Sequence, residues 1–167
     1  MIIFEPRNLK KNNKMIYNLI GQPHSGKTTL AKHLQTALEI NNPQRKALII
    51  DGDDLRKILN NKDYSKEGRR DNISKAYAIA KYLDADFLHD VIIAVVSPFL
   101  DLREEFKLTA DVVEIYVHTG NVRGRESFHV EYFEKPESNF IDIDTTDVDE
   151  FTSINESYRD FTPLSCK

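Results

Sequence analysis

The residues with the clearest chemistry form a short glycine-containing segment near the start of the chain, Gly21-Gln-Pro-His-Ser-Gly-Lys-Thr28. It matches the spacing G-x-x-x-x-G-K-[ST], in which backbone N–H groups surround phosphate oxygens. In this pattern Lys27 places a positive charge at the β- and γ-phosphates, and Thr28 offers a hydroxyl ligand to Mg²⁺. The segment therefore predicts a site for ATP and Mg²⁺. The residues expected to contact the nucleotide are Gly21, Gln22, Pro23, His24, Ser25, Gly26, Lys27, Thr28 and Thr29.

Two carboxylates, Asp51 and Asp53, follow a second apolar run at residues 47–50. Alternate residues at the end of a strand can both reach the γ-phosphate region. One would organise Mg²⁺ through water, and the other would accept the proton of an attacking hydroxyl. We expect Asp51, Asp53 and Lys27 to be catalytic, and Thr28 and Asp51 to hold the metal. The spacing leaves open which of the two aspartates is the base.

A third apolar run, residues 91–96, ends at Ser97 and lacks the carboxylate that often follows such a strand. A guanine-reading N-K-x-D motif is also missing, since Asn61-Lys62-Asp63 has the wrong spacing. The carboxylates stand instead after the second run, at Asp51 and Asp53, and that arrangement suits phosphoryl transfer to an alcohol better than nucleotide hydrolysis.

Short apolar runs that alternate with helical patterns predict an α/β fold, a five-stranded parallel sheet with helices on both faces, as in P-loop kinases. The predicted strands are residues 15–20, 47–50, 91–96, 111–117 and 140–145. The first predicted helix starts at residue 27 and is ended by Asn41-Asn-Pro43. The other predicted helices cover residues 55–59, 69–85, 100–108 and 148–158. Residues 60–68 and 118–139 read as irregular. Residues 1–14 form a predicted arm with a short strand at 2–4, ahead of one domain at 15–167.

Composition excludes several classes of protein. The chain has 167 residues, 40% of them hydrophobic, and a net charge of −4, which disfavours a nucleic-acid partner. The single cysteine, Cys166, allows no internal disulfide. The chain shows neither a signal-peptide pattern nor an apolar run long enough for a membrane span, so we expect a cytoplasmic protein with no membrane partner.

Several motifs together resemble the adenosine 5′-phosphosulfate (APS) kinase family. That family pairs the phosphate loop with D-G-D-N-[LI]-R, where this chain has Asp51-Gly-Asp-Asp-Leu-Arg56. Its later motifs correspond to Leu59-Asn60, Tyr64, Arg69-Arg-Asp-Asn-Ile73, Ser97-Pro-Phe-Leu-Asp-Leu-Arg103 and Tyr132-Phe-Glu-Lys-Pro136. The resemblance covers the chain from about residue 15 to 150.

The resemblance implies that ATP phosphorylates the 3′-hydroxyl of a nucleotide that carries a 5′ anhydride, and that the protein is a homodimer. Arg56, Arg69 and Asn72 would hold the acceptor's anionic group and ribose. Tyr64 and Phe99 would flank its base, where aromatic stacking is worth ~1–3 kcal/mol. The implied acceptor-binding residues are Asp53, Arg56, Tyr64, Arg69, Asn72, Ser97, Phe99, Arg123 and Phe128.

The chain departs from the family at residues 118–139, where a lid is shortened and its R-D-P-K-G-L-Y and T-G-I-D pieces are missing. Arg123 and Arg125 would replace the lid's cations, and Phe128 would supply a second stacking face. The shortened form is similar to the cytidine diphosphoramidate kinases of bacterial capsule biosynthesis, so that compound is the expected acceptor. APS is the alternative acceptor. A non-catalytic ATP-binding switch is an alternative of another class, and a polynucleotide 5′-hydroxyl kinase is disfavoured by the acidic charge balance.

Overall fold

Strands and helices alternate along the chain in the computed structural model, which describes residues 15–86, 89–121 and 126–146. The strands are β1 (Ile16–Ile20), β2 (Lys46–Asp51), β3 (His89–Ala94), β4 (Val112–His118) and β5 (Phe140–Asp144). The helices are α1 (Lys27–Asn41), α2 (Gly52–Ile58), α3 (Lys66–Asp86) and α4 (Leu100–Thr109), with a 3₁₀ turn at Glu126–Phe128.

The five strands form one sheet in the order β2-β3-β1-β4-β5, and every neighbouring pair is parallel. The central strand β1 pairs with both β3 and β4, so that Ile16 lies opposite Val91 on one side and Val112 on the other. Because the strands are parallel, their carboxyl ends meet at one edge of the sheet. The loops after β1, β2 and β3 are therefore brought together there, as expected for a ligand site in an open α/β sheet.

Helices cover both faces of the sheet, which confirms the predicted fold class. On one face α1 contributes Leu30, Ala31 and Leu34 to an apolar cluster. On the other face α3 and α4 contribute Tyr77 and Phe106, whose rings stack with centroids 4.0 Å apart. The central strands β1 and β3 are almost fully buried between these two layers, which explains their continuous apolar runs.

Two helices begin earlier than the sequence predicts, because polar side chains cap them. The Asp51 carboxylate accepts hydrogen bonds from the N–H groups of Asp53 and Asp54, so α2 starts at Gly52 instead of residue 55. The Ser65 hydroxyl accepts from the N–H of Gly68, so α3 starts at Lys66 instead of residue 69. The loop between them is correspondingly shorter than the predicted 60–68.

Some predictions fall on parts of the chain that the structure does not describe. The predicted strand at residues 2–4 and the closing helix at 148–158 both lie outside the described residues. Within the described residues, none of the helices has both the length and the apolar character that a membrane crossing requires.

Candidate active site

The phosphate loop connects β1 to α1, and the loop together with the first turn of α1 carries all the residues predicted to contact the nucleotide. It begins at Gly21, whose φ of 148° is in the region that favours glycine. A Cβ atom at this position would lie 2.0 Å from the carbonyl oxygen of Val117 on β4, so only glycine fits. Gly26 closes the loop with a φ of 92° immediately before the first residue of α1. The loop is thus folded against the sheet with the helix N-terminus behind it, the arrangement that binds anions.

Lys27 is buried inside this loop. Its Nζ donates to the backbone oxygen of Gln22 at 2.6 Å, and lies 3.4 Å from the Ser25 hydroxyl. Burial lowers the pKa of Lys27 to about 8, although the carboxylates of Asp51 and Asp53 oppose the shift. A phosphate group beside Nζ would favour the charged form and raise the pKa again. The lysine is therefore positioned for an anion.

Thr28 and Asp51 come together at the start of α1 and α2. The Thr28 hydroxyl donates to Oδ2 of Asp51 at 2.7 Å, while Oδ1 of Asp51 accepts from the N–H of Asp53 at 2.9 Å. Both carboxylate oxygens of Asp51 are thus engaged. The hydroxyl and the carboxylate form a pair of hard oxygen donors beside the phosphate loop, a chemistry that fits Mg²⁺.

Asp53 is placed differently from Asp51. It lies in the first turn of α2, and its side chain is exposed. Its backbone N–H is bound by Asp51, but its carboxylate accepts no hydrogen bond and forms no ion pair with the residues that the structure describes. Of the two predicted catalytic aspartates, Asp53 is therefore the one whose oxygens are available to a substrate.

Arg56, Arg69 and Tyr64 meet between α2 and α3. The guanidinium of Arg56 lies 4.3 Å from the centre of the Tyr64 ring, and that of Arg69 lies 5.5 Å from it. The Arg56 side chain also donates to the backbone oxygen of Asp63 at 2.6 Å, and Nε of Arg69 donates to that of Tyr64 at 3.2 Å. The Tyr64 ring remains 56% exposed. Two cations are therefore adjacent to an accessible aromatic ring, and Arg56 itself is 7% exposed.

Asn72 lies one turn after Arg69 on α3 and is 4% exposed. Its side-chain oxygen Oδ1 is buried and has no hydrogen-bond partner among the described residues. Unpaired buried polar atoms are uncommon because they lose their hydration without compensation. This oxygen is thus available for a donor group of a bound ligand.

Ser97 and Phe99 are both buried in the structure, and the contact with the acceptor that the resemblance implied for them stays a prediction. Ser97 is fully buried, and its hydroxyl forms a 2.8 Å hydrogen bond with the Tyr77 hydroxyl. Phe99 is 7% exposed, with Tyr132 stacked at 5.7 Å and the Arg70 guanidinium 4.6 Å from its ring centre.

Two further predicted residues, Phe128 and Thr29, lie around the phosphate loop. Phe128 is exposed and meets the ring of His24 edge-on at a centroid distance of 5.2 Å, so it stands over the loop. Thr29 is exposed on the first turn of α1. Arg123 and Arg125 lie outside the described residues, and the role of Arg123 stays a prediction.

Two features of the site were missed by sequence reasoning. The side chain of Gln22 in the phosphate loop binds the backbone of Val130, 108 residues away. Arg103 is fully buried, pairs with Glu114 at 3.1 Å and donates to the backbone oxygens of Ser97 and Glu134. Arg103 lies three residues before Phe106 on the buried face of α4. That helical spacing was the sequence signal that could have predicted the burial of Arg103. Nothing in the sequence pairs Gln22 with Val130.

The parallel sheet, the phosphate loop and the two aspartates define the class of protein: a P-loop phosphotransferase. Comparisons with known proteins identify the family. A family model described as adenylylsulphate kinase matches residues 13–161. A cytidine diphosphoramidate kinase of Campylobacter jejuni is 30% identical over 139 residues, which is 80% of each chain. An adenylyl-sulfate kinase of Burkholderia ambifaria is 28% identical over 162 residues, 94% of this chain and 82% of that one.

The chain therefore belongs to the adenylylsulphate kinase family and is an ATP-dependent phosphotransferase. Solved structures agree on the fold. The Mycobacterium tuberculosis APS kinase CysC, solved in complex with AMPPNP and APS, matches this structure with a TM-score of 0.72 at 20% sequence identity, over 89% of this chain and 95% of that one.

Proposed function

We propose that the chain transfers the γ-phosphoryl group of ATP to the 3′-hydroxyl of a nucleotide that carries a 5′ anhydride. The observation that carries this proposal is the free carboxylate of Asp53, three residues before Arg56 on α2. Residues at this spacing lie on the same side of a helix. A carboxylate available as a base and a cation are thus about one helical turn apart, and nucleotide binding alone would not need both.

On the ATP side, the loop N–H groups and Lys27 would bind the phosphates. Thr28 and Asp51 would hold Mg²⁺, directly or through water, because their oxygens are adjacent and chemically suited to it. When bound, Mg²⁺ would neutralise charge on the phosphate oxygens. Few protein ligands are needed for such an ion, since water and phosphate oxygens usually complete its coordination.

In the transfer step, Asp53 would accept the proton of the acceptor hydroxyl as its oxygen attacks the γ-phosphorus. The bond between the γ-phosphorus and the oxygen that bridges to the β-phosphorus breaks, and ADP leaves with that oxygen. Lys27 would balance the charge that develops on the transferred group and on ADP. The products are ADP, the 3′-phosphorylated acceptor and the proton held on Asp53.

On the acceptor side, Arg56 and Arg69 would bind the 5′ anhydride and Tyr64 would stack on the base. The buried Oδ1 of Asn72 would accept a hydrogen bond from the ribose or base. Among nucleotides of this class we favour cytidine diphosphoramidate, which would place the protein in capsule biosynthesis. The 30% identity to a kinase of that name and the shortened segment at 118–139 support this choice. APS is the second candidate, supported by the family and by the Burkholderia relative, whose match includes 94% of this chain.

The test is ATP consumption with Mg²⁺ in the presence of cytidine diphosphoramidate, APS, CDP or no acceptor, with products identified by mass and phosphorus NMR. Turnover on the cytidine compound alone would establish the favoured acceptor. Turnover on APS alone would make this an adenylyl-sulfate kinase. If ATP binds and no acceptor raises its turnover, the transfer proposal is wrong and an ATP-binding switch is favoured. The homodimer stays a prediction, which sedimentation would check separately.

A further inference from the structure

The phosphate loop is attached by one side chain to a distant part of the chain. The Gln22 amide nitrogen donates to the backbone oxygen of Val130 at 2.9 Å, and its amide oxygen accepts from the Val130 N–H at 2.8 Å. Val130 is 4% exposed, so both of its backbone groups depend on partners within the protein. The Val130 oxygen also accepts from the N–H of Phe133 at 3.1 Å, whereas Gln22 is the partner of the Val130 N–H. With a bond to each of these two groups, the glutamine fixes the distance and orientation between the loop and Val130.

Val130 begins a segment, residues 130–134, that we call the strap because its other end is fixed on the acceptor side. The N–H of Glu134 donates to the backbone oxygen of Pro98 at 2.9 Å. The Glu134 carboxylate accepts from the N–H of Leu100 at 2.8 Å, and its backbone oxygen accepts from Arg103 at 2.7 Å. Three hydrogen bonds therefore join the far end of the strap to the turn after β3 and the start of α4.

The middle of the strap contacts α3, the helix that carries Arg69 and Asn72. Tyr132 stacks on Phe99 with ring centroids 5.7 Å apart, and Nζ of Lys66 lies 4.6 Å from the Tyr132 ring centre. Lys66 is the first residue of α3. The strap thus connects the loop that binds ATP with the helix proposed to bind the acceptor, through packed rings and hydrogen bonds.

We propose that Gln22 is a positioning residue that couples the two substrate sites through the strap, so that ATP at the phosphate loop and the acceptor at α3 bind cooperatively. The part of this inference that concerns acceptor binding rests on the proposed function. A nucleotide that orders the loop fixes Gln22, and Gln22 fixes Val130. The rings of Tyr132 and Phe99 are then held against α3. By linkage, the acceptor must tighten the nucleotide by the same factor.

The role is specific to the side chain of Gln22. Its backbone oxygen accepts from Nζ of Lys27, and a substitution of the side chain leaves that oxygen in place. Gln22→Leu keeps a side chain of comparable bulk but removes both hydrogen bonds to Val130. Gln22→Asn keeps an amide one methylene shorter, which does not reach. Gln35→Leu is a matched control, because Gln35 on α1 donates to the backbone oxygen of Ala47 at 2.7 Å, in a contact between α1 and β2.

The first experiment is amide hydrogen exchange at residues 130–134, with and without a non-hydrolysable ATP analogue. The experiment needs no acceptor, so its result can be interpreted even if neither proposed acceptor is a substrate. We expect the analogue to slow exchange at Val130 in the wild type and in Gln35→Leu, but not in either Gln22 variant. Thermal melting identifies a Gln22 variant that fails to fold. In that case the exchange rates of the other Gln22 variant are compared with the wild type. Equal slowing in the wild type and the Gln22 variants overturns the proposal.

The second experiment measures the affinity for cytidine diphosphoramidate and for APS, each with and without the same analogue. We expect the analogue to tighten acceptor binding by about tenfold in the wild type, within the usual range of coupling between sites. In the Gln22 variants the analogue should change the affinity for the acceptor by a factor close to one. A purely structural role would lower the melting temperature without changing the factor. If the wild type shows no coupling, or a Gln22 variant retains it, the proposal is wrong.

Discussion

Thr28 and Asp51 are joined by a 2.7 Å hydrogen bond that connects the first turn of α1 to the start of α2. The same Asp51 caps α2 through its second oxygen. Through these two bonds Asp51 fixes α2 beside the phosphate loop, and in the proposed function it would hold Mg²⁺ together with Thr28. Asp53 is thereby left as the carboxylate available for a proton. The two aspartates that the sequence could not distinguish thus differ in their hydrogen bonds.

The first prediction concerns Asp53. Asp53→Asn should lower kcat by about 10²–10⁴-fold, the usual contribution of a general base, while the dissociation constant for ATP changes little. Steady-state kinetics and nucleotide binding measure the two quantities. Asp54→Asn is the matched control, because Asp54 is exposed and pairs with Lys57 at 2.8 Å. If Asp53→Asn mainly weakens ATP binding, Asp53 organises the metal and the assignment is wrong.

The second prediction is a pH dependence that arises from Lys27. In the free protein its pKa is lowered to about 8, so the positive charge is lost as the pH rises above that value. We expect kcat/KM for ATP to fall above pH 8, since this parameter reports the free enzyme. The phosphates of bound ATP raise the pKa of Lys27, so kcat should stay constant up to a higher pH than kcat/KM. A kcat/KM that stays flat from pH 7 to about 10 would contradict this account of Lys27.

The third prediction concerns Arg56. Arg56→Ala should raise the acceptor KM by about 10- to 100-fold, since a hydrogen bond to a charged group is worth ~1.5–3 kcal/mol. The KM for ATP should change far less. Lys57→Ala provides the control, as an exposed cation on the same helix. An unchanged acceptor KM would show that Arg56 only supports the loop at Asp63, to which it donates.

The fourth prediction concerns stability. Arg103→Met should lower the free energy of unfolding by ~3–5 kcal/mol, because the buried carboxylate of Glu114 loses its guanidinium partner and keeps only the Lys107 ammonium at 2.9 Å. The substitution also leaves the backbone oxygens of Ser97 and Glu134 without the donors that Arg103 supplies. Urea denaturation measures the loss. Arg70→Met removes an exposed ion pair with Asp101 and should cost less than ~1 kcal/mol. Similar losses for the two variants would contradict the importance given to the buried pair.

Local patterns were sufficient for the sheet, for the phosphate loop and for the position of Asp51 and Asp53. Each depends on residues within a few positions of one another: an apolar run, a glycine spacing, a carboxylate after a strand. The starts of α2 and α3 differed from the prediction because Asp51 and Ser65 cap them. Both residues are good caps, but the apolar pattern on which the helices were placed does not detect capping.

The sequence by itself determined the class of chemistry, since the spacing from Gly21 to Thr28 folds into a phosphate loop wherever a strand precedes it and a helix follows. Only the tertiary structure decided which aspartate is free and that Phe99 is buried. It alone also showed that Gln22 holds Val130. Such contacts join residues far apart in the chain, for example 108 positions in the last case. They depend on how the strands are ordered in the sheet and how the loops pack across its edge, and no local spacing encodes that arrangement.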